Sequence, residues 1–156
     1  MRRILLDTDT CIEVIRGRPT PLEDYAGASF GISAITRFEL HSGLAKQRNR
    51  KLSNRTRSFL EAITCFPFDS AASEAATKVR LELEAKGTKT GASDTLIAGH
   101  CVALEYELLT GNFREFSRIK NLKIIALRWL RDLVVTARSS GIVLADREAA
   151  CRSNHY

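Results

Sequence analysis

Residues 3–12 read Arg3-Ile4-Leu5-Leu6-Asp7-Thr8-Asp9-Thr10-Cys11-Ile12. The run from Arg3 to Leu6 is a short apolar strand that stops on a carboxylate. Asp7, Thr8, Asp9 and Thr10 are all residue types that cap helix N-termini, and they predict a helix continuing to about Gly17. A buried strand that turns directly into a helix is the opening half of a parallel crossover unit. Working outward from it, the pattern repeats. Strands are expected at Phe30–Ser33, Cys65–Phe68, Leu108–Thr110 and Leu122–Ala126. Helices are expected at Leu22–Ala26, Ala34 to about Lys46, Ser53–Ile63 and Ala71–Lys86. The last runs from a Ser93-Asp94 cap to about Glu105, after a polar loop over Gly87–Gly91. Strands separated by helices imply an α/β, three-layer sandwich with a mostly parallel central sheet of four or five strands flanked by helices.

The chain has 156 residues, 44% of them hydrophobic. That suits one domain with a substantial core and excludes a disordered chain. Three prolines and nine glycines exclude a fibrous or low-complexity protein. The apolar run behind Arg2-Arg3 ends at Asp7, too short for a secretory leader, and nothing approaches the roughly 18 residues of a membrane span. No membrane association and a cytoplasmic location are therefore expected. Cys11, Cys65, Cys101 and Cys151 are widely spaced among apolar neighbours and read as buried free thiols. His41, His100 and His155 add no zinc spacing to them.

Charge is uneven along the chain. Residues 37–57 hold Arg37, Lys46, Arg48, Arg50, Lys51, Arg55 and Arg57 against the single acid Glu39, which accounts for the whole net charge of +6. Such a patch is either a solvated face or a footprint for a polyanion, whose phosphates it would neutralise with release of counterions. Aromatic residues do not interleave it, so backbone contact suits it better than base readout.

Three carboxylates stand where apolar side chains belong. Asp7 ends the first strand. Glu39 lies on the helical row Ile35, Phe38, Glu39, Ser42, and Asp94 heads the row Asp94, Ile97, Cys101, Leu104. In open parallel sheets such positions converge on the crevice beyond the strands' carboxyl ends. Two carboxylates about 5 Å apart repel by roughly 3 kcal/mol at an effective dielectric of 20. Three mutual pairs approach the whole stability of a domain, about 5–15 kcal/mol. A divalent cation relieves that repulsion, and all-oxygen ligands select a hard one, Mg²⁺ or Mn²⁺. Taken singly, Asp7 and Asp94 also read as ordinary N-caps and Glu39 as tipping outward.

These residues carry a resemblance. Leu5 to Ile12, Ile32-Ser33 through Phe38-Glu39-Leu40, Asp94 to Ala98, and Leu109-Thr110-Gly111-Asn112 through Glu115-Phe116-Ser117-Arg118-Ile119 together resemble a PIN domain. The resemblance is to the VapC-type ribonuclease toxins of bacterial toxin–antitoxin pairs. It covers about residues 3–130, so residues 1–130 are expected to form the nuclease domain and 131–156 a C-terminal extension of unknown role. The resemblance implies a Mg²⁺-dependent endoribonuclease that cuts structured RNA such as tRNA and stops translation. It further implies a homodimer held inactive by a small VapB-like antitoxin. On these positions Asp7, Glu39 and Asp94 match the metal-site acids, and Asn112 falls where many relatives have a fourth acid. Thr110 matches a hydroxyl that orients the acids, while Asp9 reads first as helix capping. Lys46, Arg48, Arg50, Lys51, Arg55 and Arg57 would bind the flanking RNA backbone.

Other classes make different demands. A haloacid-dehalogenase-type phosphohydrolase shares the hydrophobic-D-x-D opening but requires a lysine and a late acidic pair, and after Asp94 the next acids are Glu105 and Glu107. A non-catalytic basic nucleic-acid-binding protein would bind in EDTA and cut nothing. A PIN-type DNA nuclease shares the backbone-reading chemistry.

Overall fold

In a computed structural model, which describes residues 1–88 and 90–127, five strands form one sheet in the order β3-β2-β1-β4-β5. The strands are β1 (Arg3–Leu6), β2 (Ser29–Ser33), β3 (Thr64–Phe66), β4 (Glu107–Thr110) and β5 (Lys123–Ala126). All four pairings are parallel, with Leu5 opposite both Gly31 and Leu108. The helices are α1 (Thr8–Arg16), α2 (Ala34–Lys46), α3 (Arg50–Ala62), α4 (Ser70–Ala85), α5 (Ala92–Leu104) and the single turn α6 (Phe113–Phe116). A 3₁₀ turn covers Pro21–Tyr25.

Strand alternation splits the core in two. Ile4, Leu6, Ile32 and Leu109 face one side and pack with Cys11 and Ile15 of α1, Leu40 of α2 and Leu60 of α3. Leu5 and Leu108 face the other and pack with Val79 and Leu83 of α4 and Ile97, Ala98 and Cys101 of α5. Strand β1 is central and enclosed on both faces, which is why its run is continuously apolar rather than alternating. Helices α4 and α5 approach so closely that a Cβ on Gly99 would lie 2.2 Å from the Cα of Ala76.

Local chemistry sets the boundaries that differ from expectation. Asn49 caps α3 by accepting the N–H of Leu52 at 3.1 Å, so this helix starts at Arg50 rather than Ser53 and carries Arg50 and Lys51 with it. Helix α5 starts at Ala92 behind Gly91, which places Asp94 inside the first turn and not at the cap. Strand β3 stops at Phe66, and α6 arises after β4 where no helix was expected. On α2 the buried residues are Thr36 and Leu40, whereas Phe38 is exposed; the row through Phe38 and Ser42 is therefore not the inward face. Cys11 and Cys101 are buried free thiols, but Cys65 is only half-buried. The expected extension over 131–156, and Cys151 within it, lie outside the described residues.

Two glycines test this packing. Gly99→Ala is expected to lower stability by about 1–3 kcal/mol, because a Cβ there meets backbone rather than a movable side chain. Gly43→Ala on α2, with nothing within 4 Å, is expected to raise it by about 0.5–1 kcal/mol. Denaturant unfolding of the two variants checks both signs.

Candidate active site: carboxylates at the carboxyl edge of the sheet

Asp7 is delivered by the last step of β1 and is buried. Its backbone N–H donates to the carbonyl of Leu109 at 3.2 Å, which continues the β1–β4 pairing for one more residue. Its carboxylate is held at both oxygens. Oδ1 accepts the N–H of Thr10 at 2.7 Å as the N-cap of α1, and Oδ2 accepts the hydroxyl of Thr110. Thr110 Oγ1 in turn accepts the N–H of Asn112 at 2.9 Å, while Thr10 Oγ1 donates to the Leu109 carbonyl at 3.0 Å. The capping reading of Asp7 and its place in a polar site are thus the same geometry.

Glu39 is half-buried on α2, where its Oε2 accepts the hydroxyl of Thr8 from the first turn of α1. Asp94 is half-buried in the first turn of α5. Its carboxyl is pushed up to about 6, first by burial and then by the negative charges of Asp7, Asp9, Glu39 and Glu115. The Asp7 carboxyl is also pushed up to about 6, by burial against the opposing pull of its hydrogen bonds from Thr10 and Thr110. Asn112 stands just past β4, half-exposed, and its backbone N–H is the group that ties it to Thr110.

The structure therefore brings Asp7, Glu39, Asp94 and Thr110 to one edge of the sheet and adds two acids that sequence reasoning did not place there. The cap of α1 is Asp7 rather than Asp9, and the charge of Asp9 acts on both Asp7 and Asp94. The D-x-D spacing was the available signal. Glu115 comes from α6, which no periodicity announced. Among the described residues, no three Asp, Glu, His or Cys side chains are already gathered into a coordination shell. Like-charge repulsion opposes closing one, and an all-carboxylate donor set of hard oxygens fits a hard divalent ion.

The six cations lie on the end of α2, the connection after it and α3. Lys46 ends α2, Arg48 is in the three-residue connection, and Arg50, Lys51, Arg55 and Arg57 are on α3. All six are exposed, and among the described residues none forms an ion pair. Arg55 donates to the carbonyl of Arg16 at 3.3 Å. Arg37, the seventh cation of the patch, is half-buried and donates to the carbonyl of Leu60, which makes it a clasp between α2 and α3.

A family model described as PIN domain matches residues 4–122. The chain belongs to the PIN-domain family. Its curated relatives narrow the branch to VapC. The tRNA(fMet)-specific endonuclease VapC of Salmonella typhimurium is 33% identical over 131 residues, covering 80% of this chain and 97% of the relative. Ribonuclease VapC2 of Rickettsia felis is 33% identical over 124 residues, covering 76% and 92%. Two solved structures share the PIN architecture. VapBC2 from Rickettsia felis, bound to a DNA fragment from its promoter, superposes with a TM-score of 0.73 at 28% identity, over 80% of this chain and 98% of that one. DNA-bound VapBC from Salmonella typhimurium gives 0.71 at 30% identity, over 81% and 98%. No helix among the described residues of this PIN domain is long and apolar enough to cross a membrane.

The raised carboxyls fix a sign for pH dependence. With Asp7 and Asp94 titrating above their ordinary value, the folded state holds protons that the unfolded chain releases between about pH 4 and 6. The stabilisation is complete below the unfolded value and is lost as pH rises through the folded one, on the order of 3 kcal/mol for Asp7. Metal-free protein is accordingly expected to melt several degrees higher at pH 5 than at pH 7.5. In EDTA at pH 7.5, Asp94→Asn is expected to melt above wild type. Scanning calorimetry at both pH values checks this.

Proposed function

We propose that this chain is a divalent-metal-dependent endoribonuclease, the toxin of a VapBC-type toxin–antitoxin pair. Its substrate on this reading is structured RNA such as tRNA, and its partners are a second copy of itself and a small VapB-like antitoxin. The observation that carries the reading is that the strand order sets the buried Asp7 and the half-buried Asp94 at the carboxyl edge of a parallel sheet, each with its carboxyl pushed up to about 6, first by burial. Acids driven upward by burial and, behind it, by neighbouring acids are a poor device for stability and a good one for binding a cation. Support also comes from the relatives, several of which are named ribonucleases, and from VapC nucleases being generally metal-dependent.

On this reading Asp7 and Asp94, with Glu39 and Asn112, would hold Mg²⁺ or Mn²⁺. When bound there, such an ion lowers the pKa of water and offsets charge developing on the scissile phosphate. The protein's own part is positioning. Thr110 fixes one oxygen of Asp7 and the Thr10 N–H fixes the other, so the carboxylate cannot swing toward solvent. Thr8 occupies Oε2 of Glu39, leaving Oε1 either to complete that shell or to take a proton from an attacking water. The amide of Asn112 offers an oxygen without adding charge, which keeps the donor set at three acids. Lys46, Arg48, Arg50, Lys51, Arg55 and Arg57, which form no ion pair among the described residues, would bind the flanking phosphates.

Asp7→Asn and Asp94→Asn are each expected to reduce Mg²⁺-dependent RNA cleavage at least about 100-fold with the fold retained. Thr110→Val, which removes only the orienting hydroxyl, is expected to cost about 10–100-fold. Cleavage of total RNA with Mg²⁺, Mn²⁺ or EDTA is the assay, and cleavage by Asp94→Asn at the wild-type rate would overturn the mechanism. Binding of uncleavable single-stranded RNA is expected to weaken with salt, the log–log slope shrinking by about 0.7 for each patch cation replaced by alanine. Titrations of Lys51→Ala and of Lys51→Ala combined with Arg57→Ala at several salt concentrations measure that slope.

A further inference from the structure

The cations are not spread evenly over their surface. Arg16, Asn49, Lys51, Leu52 and Arg55 line one concavity of about 180 Å³, where the end of α1 meets the start of α3. Three of these five side chains are cationic and none is acidic. Lys46, Arg48, Arg50 and Arg57 do not line it. Arg16 belongs to no basic run in the sequence; the fold brings it beside Lys51 and Arg55.

Two of the three are anchored. Arg55 donates to the carbonyl of Arg16 at 3.3 Å, one bond of the five its guanidinium can make. Arg16 lies 3.7 Å from Glu13, which is engaged more closely by Arg18 at 2.9 Å and does not line the concavity. Like charges gathered around one hollow repel, and no acid in its wall offsets them. A bound anion does, and an arginine fork matches the oxygens of a phosphate in pairs.

The hollow leads back to the acids. Arg16 and Leu52 also line a second concavity of about 150 Å³, which Thr8 and Glu39 line as well. Thr8 and Arg16 are the first and last residues of α1, so this groove runs the length of that helix. Between them its wall is apolar, with Ile12 and Ile15 of α1 and Leu40 and Leu44 of α2. Thr8, whose hydroxyl donates to Glu39, and Arg16 are eight residues apart, about 12 Å at a rise of 1.5 Å per residue. A stacked strand advances about 3.4 Å per nucleotide, so this distance spans three or four linkages, and fewer where the strand is extended.

We propose that Arg16, Lys51 and Arg55 form a subsite for a single backbone phosphate of the substrate, roughly two to four linkages from the scissile one. Gripping that phosphate sets the register of the strand on the carboxylates. This rests on the nuclease reading above. The subsite reads charge and spacing and is indifferent to base identity.

The test has two arms. The first needs no cleavage: the full chain in EDTA is titrated with a fluorescent single-stranded oligoribonucleotide at one salt concentration. Arg16→Ala and Arg55→Ala are each expected to weaken binding about 5- to 20-fold. Arg57→Ala, outside the hollow, is expected to cost about 2-fold. Losing both Arg16 and Arg55 is expected to cost less than the product of the single losses, because they share one phosphate. Arg55→Lys, which keeps the charge and loses the fork, is expected to recover only part of the affinity. In the second arm, with Mg²⁺, an oligoribonucleotide copying the sequence around a cut carries one uncharged methylphosphonate linkage at successive positions. Besides the scissile linkage, one position is expected to raise KM with kcat nearly unchanged, and Arg16→Ala is expected to abolish the sensitivity of that position alone.

Equal losses for Arg55→Ala and Arg57→Ala, or a linkage scan that singles out no second position, would overturn the proposal and leave a diffuse basic field. So would variants that bind and cut RNA normally yet lose the antitoxin, which would make the hollow a protein contact. If the unmodified chain cuts no RNA with either metal, the nuclease reading fails by itself, and the first arm still decides the subsite.

Discussion

The structure turns on one carboxylate. Asp7 is buried at the end of the most enclosed strand in the sheet, where an ionised group is costly to desolvate. It is kept there by a backbone N–H on one oxygen and a threonine hydroxyl on the other. Those two donors belong to α1 and β4, so the same hydrogen bonds that satisfy the acid also join the first crossover unit to the fourth strand. The carboxylate is simultaneously a helix cap, a clasp between elements and the centre of the candidate active site.

Around it the fold tolerates further negative charge. Asp7, Asp9, Glu39 and Glu115 all push the half-buried Asp94 carboxyl upward, behind the larger effect of its own burial. The two hydrophobic clusters lie on the two faces of the sheet, to either side of this edge. A domain of this size can carry such a penalty at one edge because the rest of its core is conventional. The basic patch runs from the end of α2 over the connection to α3, and among the described residues none of its six exposed cations pairs with an acid. Attraction for a phosphate backbone and affinity for a cation thereby coexist in one small protein.

Much was legible in the residues. The continuous run Ile4-Leu5-Leu6 could only be an enclosed strand, and the cap residues after it could only begin a helix. The spacing of later runs implied parallel crossovers, which explains why the α/β class and all five strands were found. What was missed has equally physical causes. Helix α3 begins at Arg50 rather than Ser53 because the Asn49 side chain accepts the Leu52 N–H. Helix α6 is one turn long and has no period to detect. The inward face of α2 was misassigned because the helix is only weakly amphipathic, with a threonine buried at position 36 and a phenylalanine left outside at 38.

What sequence alone determined, then, was the family of shapes and the identity of the anomalous acids, because hydrophobic period and cap chemistry are local properties. Tertiary structure alone decided which of those acids feel one another. Asp9 and Glu115 join the cluster, and Thr8 and Thr10 support it beside the expected Thr110, through a strand order that sets residues 7, 39, 94 and 110 along one edge. Coulomb coupling and hydrogen bonding depend on distance in space, and a parallel sheet makes that distance nearly independent of separation along the chain.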